Sequence, residues 1–369
     1  MTMSAAPAPV VARGYEEVAE TLRTQLSADK GFSAQVAAFV GGRLVVDLWG
    51  GSALTGDSLI GVYSVSKGLT GLVMALLVER GVLDLDAPVA AAWPEFARAG
   101  KERVTVRQLL SHQAGLPEVD GGLTSEEYFD DRLGAARLAR QRPLWSPGSA
   151  WGYHAVTIGM LANELTRRLT GCSIQEIYEE EIRAPLGLEA YLGLPEVLEP
   201  RVAPVIFPPA DPDAASGGQL IDLVAAPLVA NPGIEWMGNS PDAHRIGMPA
   251  AGGVASARGI AGAYAAALDG RLFSAETLSI VGQIQTHGHD ITSSMPGRFG
   301  ILFQKPHPAR PFAGYRAIGH DGAAGSLGFA DPDGEVAFGF TTNRPAPEGG
   351  DRRADDLAAI VLRIARGRV

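Results

Sequence analysis

Apolar and polar positions follow two different rhythms along this 369-residue chain. Gly14–Lys30 sets Val18, Leu22 and Leu26 four apart among charged and polar residues, the spacing of one buried helix face. The segment AQVAAFVGGRLVVDLWGG then holds two β-rich runs joined by Gly41-Gly42, a strong signal for a tight hairpin. Near the other end, GSLGFADPDGEVAFGFTTNR repeats that arrangement around Asp331-Pro332-Asp333-Gly334, a run of turn formers. Asp351–Arg366 predicts an amphipathic helix with Leu357, Ile360, Val361 and Ile364 on one side.

The middle of the chain is helical in period. From Ser64 to about Tyr191 it contains stretches such as VTVRQLLSHQAGL and TIGMLANELTRRLTG, the second ending in two arginines and a glycine stop. Between Arg201 and Ala250 the pattern becomes loop-like, in VIFPPADPDAASGG and NPGIEWMGNSPDAHRIGMP. Loops of that length in a compact protein usually form walls or lids of a site. Strands at both ends with helices between them predict an α+β fold. The terminal hairpins would share one antiparallel sheet, flanked by the terminal helices and interrupted by a mostly helical insertion. The expected division is a discontinuous sheet domain over 1–63 and 250–369, and a helical domain with site-wall loops over 64–249. A cleft is expected where the two meet.

Composition narrows the functional class. A hydrophobic fraction of 46% supports a large core, and a formal net charge of −10 argues against nucleic acid or an anionic membrane as partner. The most apolar segment, Leu69–Val78, is too short to span a bilayer. The N-terminal MTMSAAPAPVVARGYEE lacks a basic region followed by a continuous apolar run, so a cytoplasmic location is expected. The single cysteine, Cys172, excludes an intramolecular disulfide and is expected to be a small packing residue. Glu179–Glu181 is expected to be a solvated helix face. His287-Gly288-His289-Asp290 lies in a polar stretch without a third, distant ligand pattern, so solvated surface is expected there and no metal. No organic cofactor is implied.

Chemistry concentrates in GVYSVSKGLTGLV. One of only four lysines, Lys67, stands three residues after Ser64 where a helical pattern begins. At a helix start, i and i+3 side chains share a face with Cβ atoms about 5–6 Å apart. A serine hydroxyl needs a base to become a nucleophile, and a desolvated lysine can be that base. The helix N-terminus would also offer N–H groups to an oxyanion. Tyr153, in PGSAWGYHAVTIGML, can shuttle a proton if Lys67 pulls its phenol toward ionisation. The glycine-rich GHDGAAGSLGF lets backbone approach a bound carbonyl, with the Ala323 N–H as a second oxyanion donor. A G-x-S-x-G elbow is absent, since S64-V-S66-K-G68 carries serine where the first glycine must be.

Taken in order, S64-V-S-K67 with Thr70, VTVRQLLSHQAGLP, PGSAWGYHAVTIGML, APLGL, PAAGGVASARGIAGAYAAAL and GHDGAAGSLGF resemble the serine β-lactamase-like proteins. The resemblance runs from about Phe32 to Arg344, toward class C β-lactamases and penicillin-binding proteins and more closely toward family VIII carboxylesterases. It implies a β-lactamase/transpeptidase-like fold, with Ser64 as nucleophile, Lys67 as its activating partner and Tyr153 as the tyrosine of the second motif. His320-Asp321-Gly322 takes the place of the third, so that Ser64, His320, Gly322 and Ala323 would serve oxyanion and substrate binding. Two departures matter. The lactamases have Tyr-x-Asn where this chain has Tyr153-His154-Ala155, and Lys-Thr-Gly where it has His320-Asp321-Gly322. Both remove handles for β-lactams and peptides while sparing the acyl-transfer centre. The expected activity is therefore hydrolysis of small to medium carboxylic esters through an acyl-serine, with no metal. An amidase, peptidase or acyltransferase on the same centre is the alternative. A non-catalytic scaffold of this fold would be expected to have lost Ser64, Lys67 or Tyr153. The ester itself and the oligomeric state stay open, a homo-oligomer included.

Overall fold

The computed structural model describes residues 8–207, 233–346 and 351–367. In chain order its strands are β1 (Val10–Val11), β2 (Ala34–Val40), β3 (Arg43–Gly50), β4 (Leu59–Tyr63), β5 (Ala190–Tyr191), β6 (Val202–Ala203), β7 (Gly253–Ala255), β8 (Thr286–His289), β9 (Pro296–Phe299), β10 (Ile318–Asp321), β11 (Leu327–Asp331) and β12 (Val336–Thr342). The helices that matter below are α1 (Glu16–Ala28), α2 (Val65–Glu79), α3 (Thr157–Thr170), α4 (Ala257–Leu268) and α5 (Arg353–Arg366).

Six strands form an antiparallel sheet in the order β1-β3-β2-β12-β11-β10. The two hairpins legible in the sequence meet at its centre, where β2 pairs with β12 from Ala34↔Thr342 to Val40↔Val336. Gly41 and Gly42 both have positive φ, 55° and 73°, as a two-residue turn of that hand requires. Alternation along β2 sorts the faces. Val36 and Ala38 point into a core shared with Val18 and Leu22 of α1 and Leu357 and Val361 of α5. Ala37, between them, packs on Ala257 and Ala261 of α4 on the opposite face. The sheet thus lies between the terminal helices and α4. The largest apolar cluster joins α2, the helices after it and α4 with Phe303, Ile318, Ala330 and Ala337. α3 ends at Gly171 in the left-handed region, whose N–H returns to Arg167 O.

Two expectations need correction. The 201–250 stretch is not uniformly loop: Ile234–Asn239 and Pro241–Ile246 are short helices, while 208–232 lie outside the described residues. The second of them has local signals, Pro241 in its first turn and Gly247 with φ 59° as its stop. Cys172 is exposed just past the α3 terminus and packs into no core. Among the described residues, no helix is long and apolar enough to cross a membrane.

Candidate active site

Strand β4 is buried along its whole length and runs directly into α2. The reversal between them is made by Tyr63, an aromatic residue with φ 49°. That conformation is unfavourable for a bulky side chain and costs of order 1–3 kcal/mol, so packing must impose it. Its effect is to leave Ser64 partly exposed while the residues on either side are buried. Ser66, the other serine of the motif, is buried and committed: its Oγ donates to Tyr63 O and accepts from Gly253 N–H at 2.8 Å. It staples the elbow to β7. Thr70 Oγ1 likewise donates to Pro249 O at 2.8 Å.

Lys67 is buried in the same turn of helix, with Nζ 3.0 Å from Ser64 Oγ. Its remaining neighbours are carbonyls, Ala155 O at 2.7 Å and Ala250 O at 2.8 Å. Burial lowers its pKa to about 7, against the opposing attraction of Asp321. A neutral amine has two N–H groups, which the two carbonyls accept. Its lone pair is then left for the Ser64 proton. This geometry suits a general base at neutral pH.

Tyr153 Oη donates to Ser64 Oγ at 3.0 Å. The expectation of a phenol drawn toward ionisation does not hold, because burial pushes the Tyr153 pKa upward and outweighs the hydrogen bond to Ser64. Lys67 Nζ stands over the ring, 4.9 Å from its centroid, rather than at the hydroxyl. Tyr153 is a neutral donor at the serine oxygen.

The segment Gly152–Ala155 has no regular secondary structure and is held by side chains from elsewhere. Tyr153 N–H donates to Asp290 Oδ1 at 3.1 Å, and His154 N–H donates to His112 Nδ1 at 3.1 Å. The His154 ring donates from Nδ1 to Gly152 O at 2.6 Å and accepts Leu116 N–H at Nε2, 2.9 Å away. Ala155 gives its carbonyl to Lys67 and its methyl to the cleft wall. The expected solvated surface at 287–290 thus fails at one residue of the four. His287 and His289 are exposed, but Asp290 is buried, also bonding Thr292 N and Oγ1 and Ser293 Oγ, and it positions Tyr153. Asp290-x-Thr292-Ser293 is an Asx-turn pattern, the signal that could have found it. His112, another residue missed, has φ 65° and its ring centroid 5.0 Å from that of Tyr153.

Of these groups, Ser64, Tyr153, Ala155 and Asp290 line a cleft of about 480 Å³. One wall is the β8–β9 hairpin, from which Phe299 stacks on Tyr153 at 5.7 Å between centroids. The other is the end of β10 and the turn after it. There His320 is buried, with Nδ1 bonded to Asp321 O at 2.7 Å and Nε2 without a partner among the described residues. Burial lowers its pKa, so the ring is neutral and carries its proton on Nδ1. With the proton on Nδ1, Nε2 is left an acceptor, buried and without a partner among the described residues. Gly322 N–H donates to Ser326 O at 2.8 Å and is not free for a substrate oxygen. Glycine is needed there because a Cβ would stand 2.4 Å from Val62 O. Ala323 follows it on the cleft wall. Among the described residues, no group of three or more His, Cys, Asp or Glu side chains is arranged to hold a metal ion.

Fold and site both have counterparts among known proteins. The structure matches that of EstA from Arthrobacter nitroguajacolicus Rue61a with TM-score 0.93 and 44% identity, over 98% of this chain and 100% of the other. A family VIII carboxylesterase structure matches with TM-score 0.87 and 31% identity, over 96% and 98%. Esterase/beta-lactamase LipL of Mycobacterium tuberculosis is 33% identical over 340 residues, 84% of this chain and 76% of LipL. The Beta-lactamase family model matches residues 18–363, nearly the whole chain, and the chain therefore belongs to the beta-lactamase family.

Proposed function

We propose that this chain is a serine carboxylesterase that hydrolyses small to medium esters through an acyl group on Ser64. The observation that carries this reading is the contact chain Tyr153 Oη–Ser64 Oγ–Lys67 Nζ, with both distances 3.0 Å and a lysine whose pKa burial brings to about 7. Lys67 takes the serine proton as Oγ attacks the ester carbonyl. The developing oxyanion is met by the N–H groups of Ser64 and Ala323. The proton held on Lys67 passes to the departing alkoxide as the acyl-serine forms, while the Tyr153 hydroxyl stays neutral and hydrogen-bonded at the Ser64 oxygen. Water then attacks the acyl-serine and the same groups act in reverse. An ester asks nothing more of the site, whereas a β-lactam or peptide would look for the amide and cationic handles missing at Ala155 and His320.

The same reading divides the chain into a discontinuous sheet part (1–63 and 250–369) and a helical part (64–249), with Ser64 at their junction. Cleft-lining residues from both parts support it, among them Tyr153 and Ala155 from one and Phe299 and His320 from the other. A cytoplasmic location fits a single, exposed thiol with no disulfide.

Ser64→Ala is expected to abolish hydrolysis of nitrophenyl acetate with the circular dichroism spectrum unchanged. Intact-mass and peptide analysis after fluorophosphonate treatment is expected to find one adduct, on Ser64. An adduct on Ser66, or an active alanine variant, overturns the proposal.

A further inference from the structure

Of the large apolar side chains that stand exposed among the described residues, Met295 alone lines the cleft, and it is 63% exposed. It sits at the end of the loop between β8 and β9, where its backbone is held on both sides. Its carbonyl accepts Asp290 N–H at 2.9 Å, and its N–H donates to Ser293 Oγ at 3.3 Å. Ser294 before it has φ 58°, and Pro296 after it opens β9 and biases Met295 toward extended backbone. A fixed mount thus carries an unbranched side chain that adapts its shape to what it meets.

The wall it belongs to is aromatic. Trp151 is buried with its polar edge already engaged, Nε1 donating to His287 O at 3.1 Å. β9 lies close on the indole, where a Cβ on Gly297 would stand 2.7 Å from the ring. Phe299 continues the surface, its ring centroid 5.6 Å from that of Trp151 and 5.7 Å from that of Tyr153, whose hydroxyl meets Ser64. An apolar strip therefore links the exposed rim to the nucleophile. A lone exposed methionine needs no explanation, but one that ends such a strip marks a surface for a ligand.

We propose that Met295 packs over the outer, apolar end of the substrate, an aryl or branched alkyl group beyond the scissile carbonyl; this rests on the esterase reading above. The carboxylate on the same wall is spent within the protein, since Asp290 is bonded by Tyr153 N–H, Thr292 Oγ1 and Ser293 Oγ. That side of the cleft offers a substrate burial and dispersion rather than hydrogen bonds. The substrate class is therefore esters whose outer group is apolar, rather than hydroxylated or charged. Met295 meets that group away from the reacting atoms, so it sets specificity through binding and leaves the chemical step alone.

Two substrate pairs test this. Nitrophenyl 3-phenylpropanoate against nitrophenyl acetate extends the acyl side, and benzyl acetate against methyl acetate extends the alcohol side. The bulky-to-small ratio of kcat/KM is compared between variants, which cancels intrinsic reactivity and any loss of folded enzyme. In at least one pair Met295→Ser is expected to lower that ratio about fivefold or more, mainly through KM, the scale of roughly 40 Å² of apolar contact returned to water. Met295→Leu is expected to keep the ratio within about twofold. A second readout needs no turnover. Peroxide transfers an oxygen to an exposed thioether and leaves as water, and in Ser64→Ala a saturating bulky ester is expected to slow sulfoxide formation at Met295 about threefold or more, followed by peptide mass spectrometry. Ratios unchanged by the serine substitution in both pairs, or oxidation of Met295 unslowed by either bulky ester, overturn the proposal and leave the esterase reading standing. Absence of wild-type turnover on every ester would instead sink the esterase reading, and this proposal with it.

Discussion

Two carbonyls, Ala155 O and Ala250 O, decide what Lys67 can do. They hold Nζ against Ser64, and it is the loss of water around that buried position, against the attraction of Asp321, that lowers its pKa to about 7 rather than the ordinary 10.5. Only the neutral amine can accept the serine proton, so kcat/KM for a neutral ester is expected to rise with pH through a midpoint near 7 and level off above 8. Tyr153 adds no limb below its ordinary range, because its pKa moves upward. A nitrophenyl acetate profile from pH 5 to 9 measures this, and a plateau extending unchanged to pH 5 would remove Lys67 as the base. Stability has its own sign. Between about 7 and 10.5 the unfolded chain binds a proton at this lysine that the folded chain does not, so the wild type gains stability as pH rises across that window. Relative to Lys67→Met, which has nothing to titrate there, the wild type should gain stability steadily from pH 7 to 10 in urea unfolding.

At the scale of elements, Tyr153 is carried by a segment with no ladder of its own. Its place is fixed by Asp290 in the loop after β8 and by His112 after the short helix Val106–Leu110. Asp290→Ala removes the acceptor for Tyr153 N–H and for Thr292 together, and small displacements of a reacting group cost rate steeply. We expect kcat to fall about 10- to 100-fold with a smaller change in KM, a lower melting temperature, and a fluorophosphonate adduct still on Ser64. Unchanged kcat would mean that stacking on Phe299 alone positions the ring. The contrast with Ser64 is physical. The serine is held by a strained strand-to-helix elbow stapled by Ser66, an arrangement local in sequence apart from Gly253. Tyr153 depends on residues about 40 and 137 positions away.

At the scale of the whole molecule, the cleft between the helical middle and the sheet edge is lined by Ala155 and by the buried, neutral ring of His320, so at those two positions it offers neither an amide side chain nor a cation to a carboxylate-bearing amide. Losing a charge-assisted hydrogen bond of about 1.5–3 kcal/mol weakens recognition roughly 10- to 150-fold. Short esters should therefore be turned over well and penicillins or cephalosporins very slowly, and His320→Lys should raise turnover of carboxylate-bearing substrates in a nitrocefin assay. Wild-type β-lactam turnover rivalling ester turnover would refute that reasoning. The sheet, its two hairpins, the terminal helices, Ser64, Lys67 and Tyr153 were legible in the sequence, because each rests on a periodicity, a turn signal or a spacing of a few residues. The local signals of Pro241 and Gly247 are legible too. Other features belong to the folded chain alone: the neutral state of Tyr153, the tautomer of His320, the engaged N–H of Gly322, and the contacts of Asp290 and His112. Each depends on burial or on a partner far away in sequence, and desolvation and long-range contacts exist only once the sheet and the helices have closed on one another.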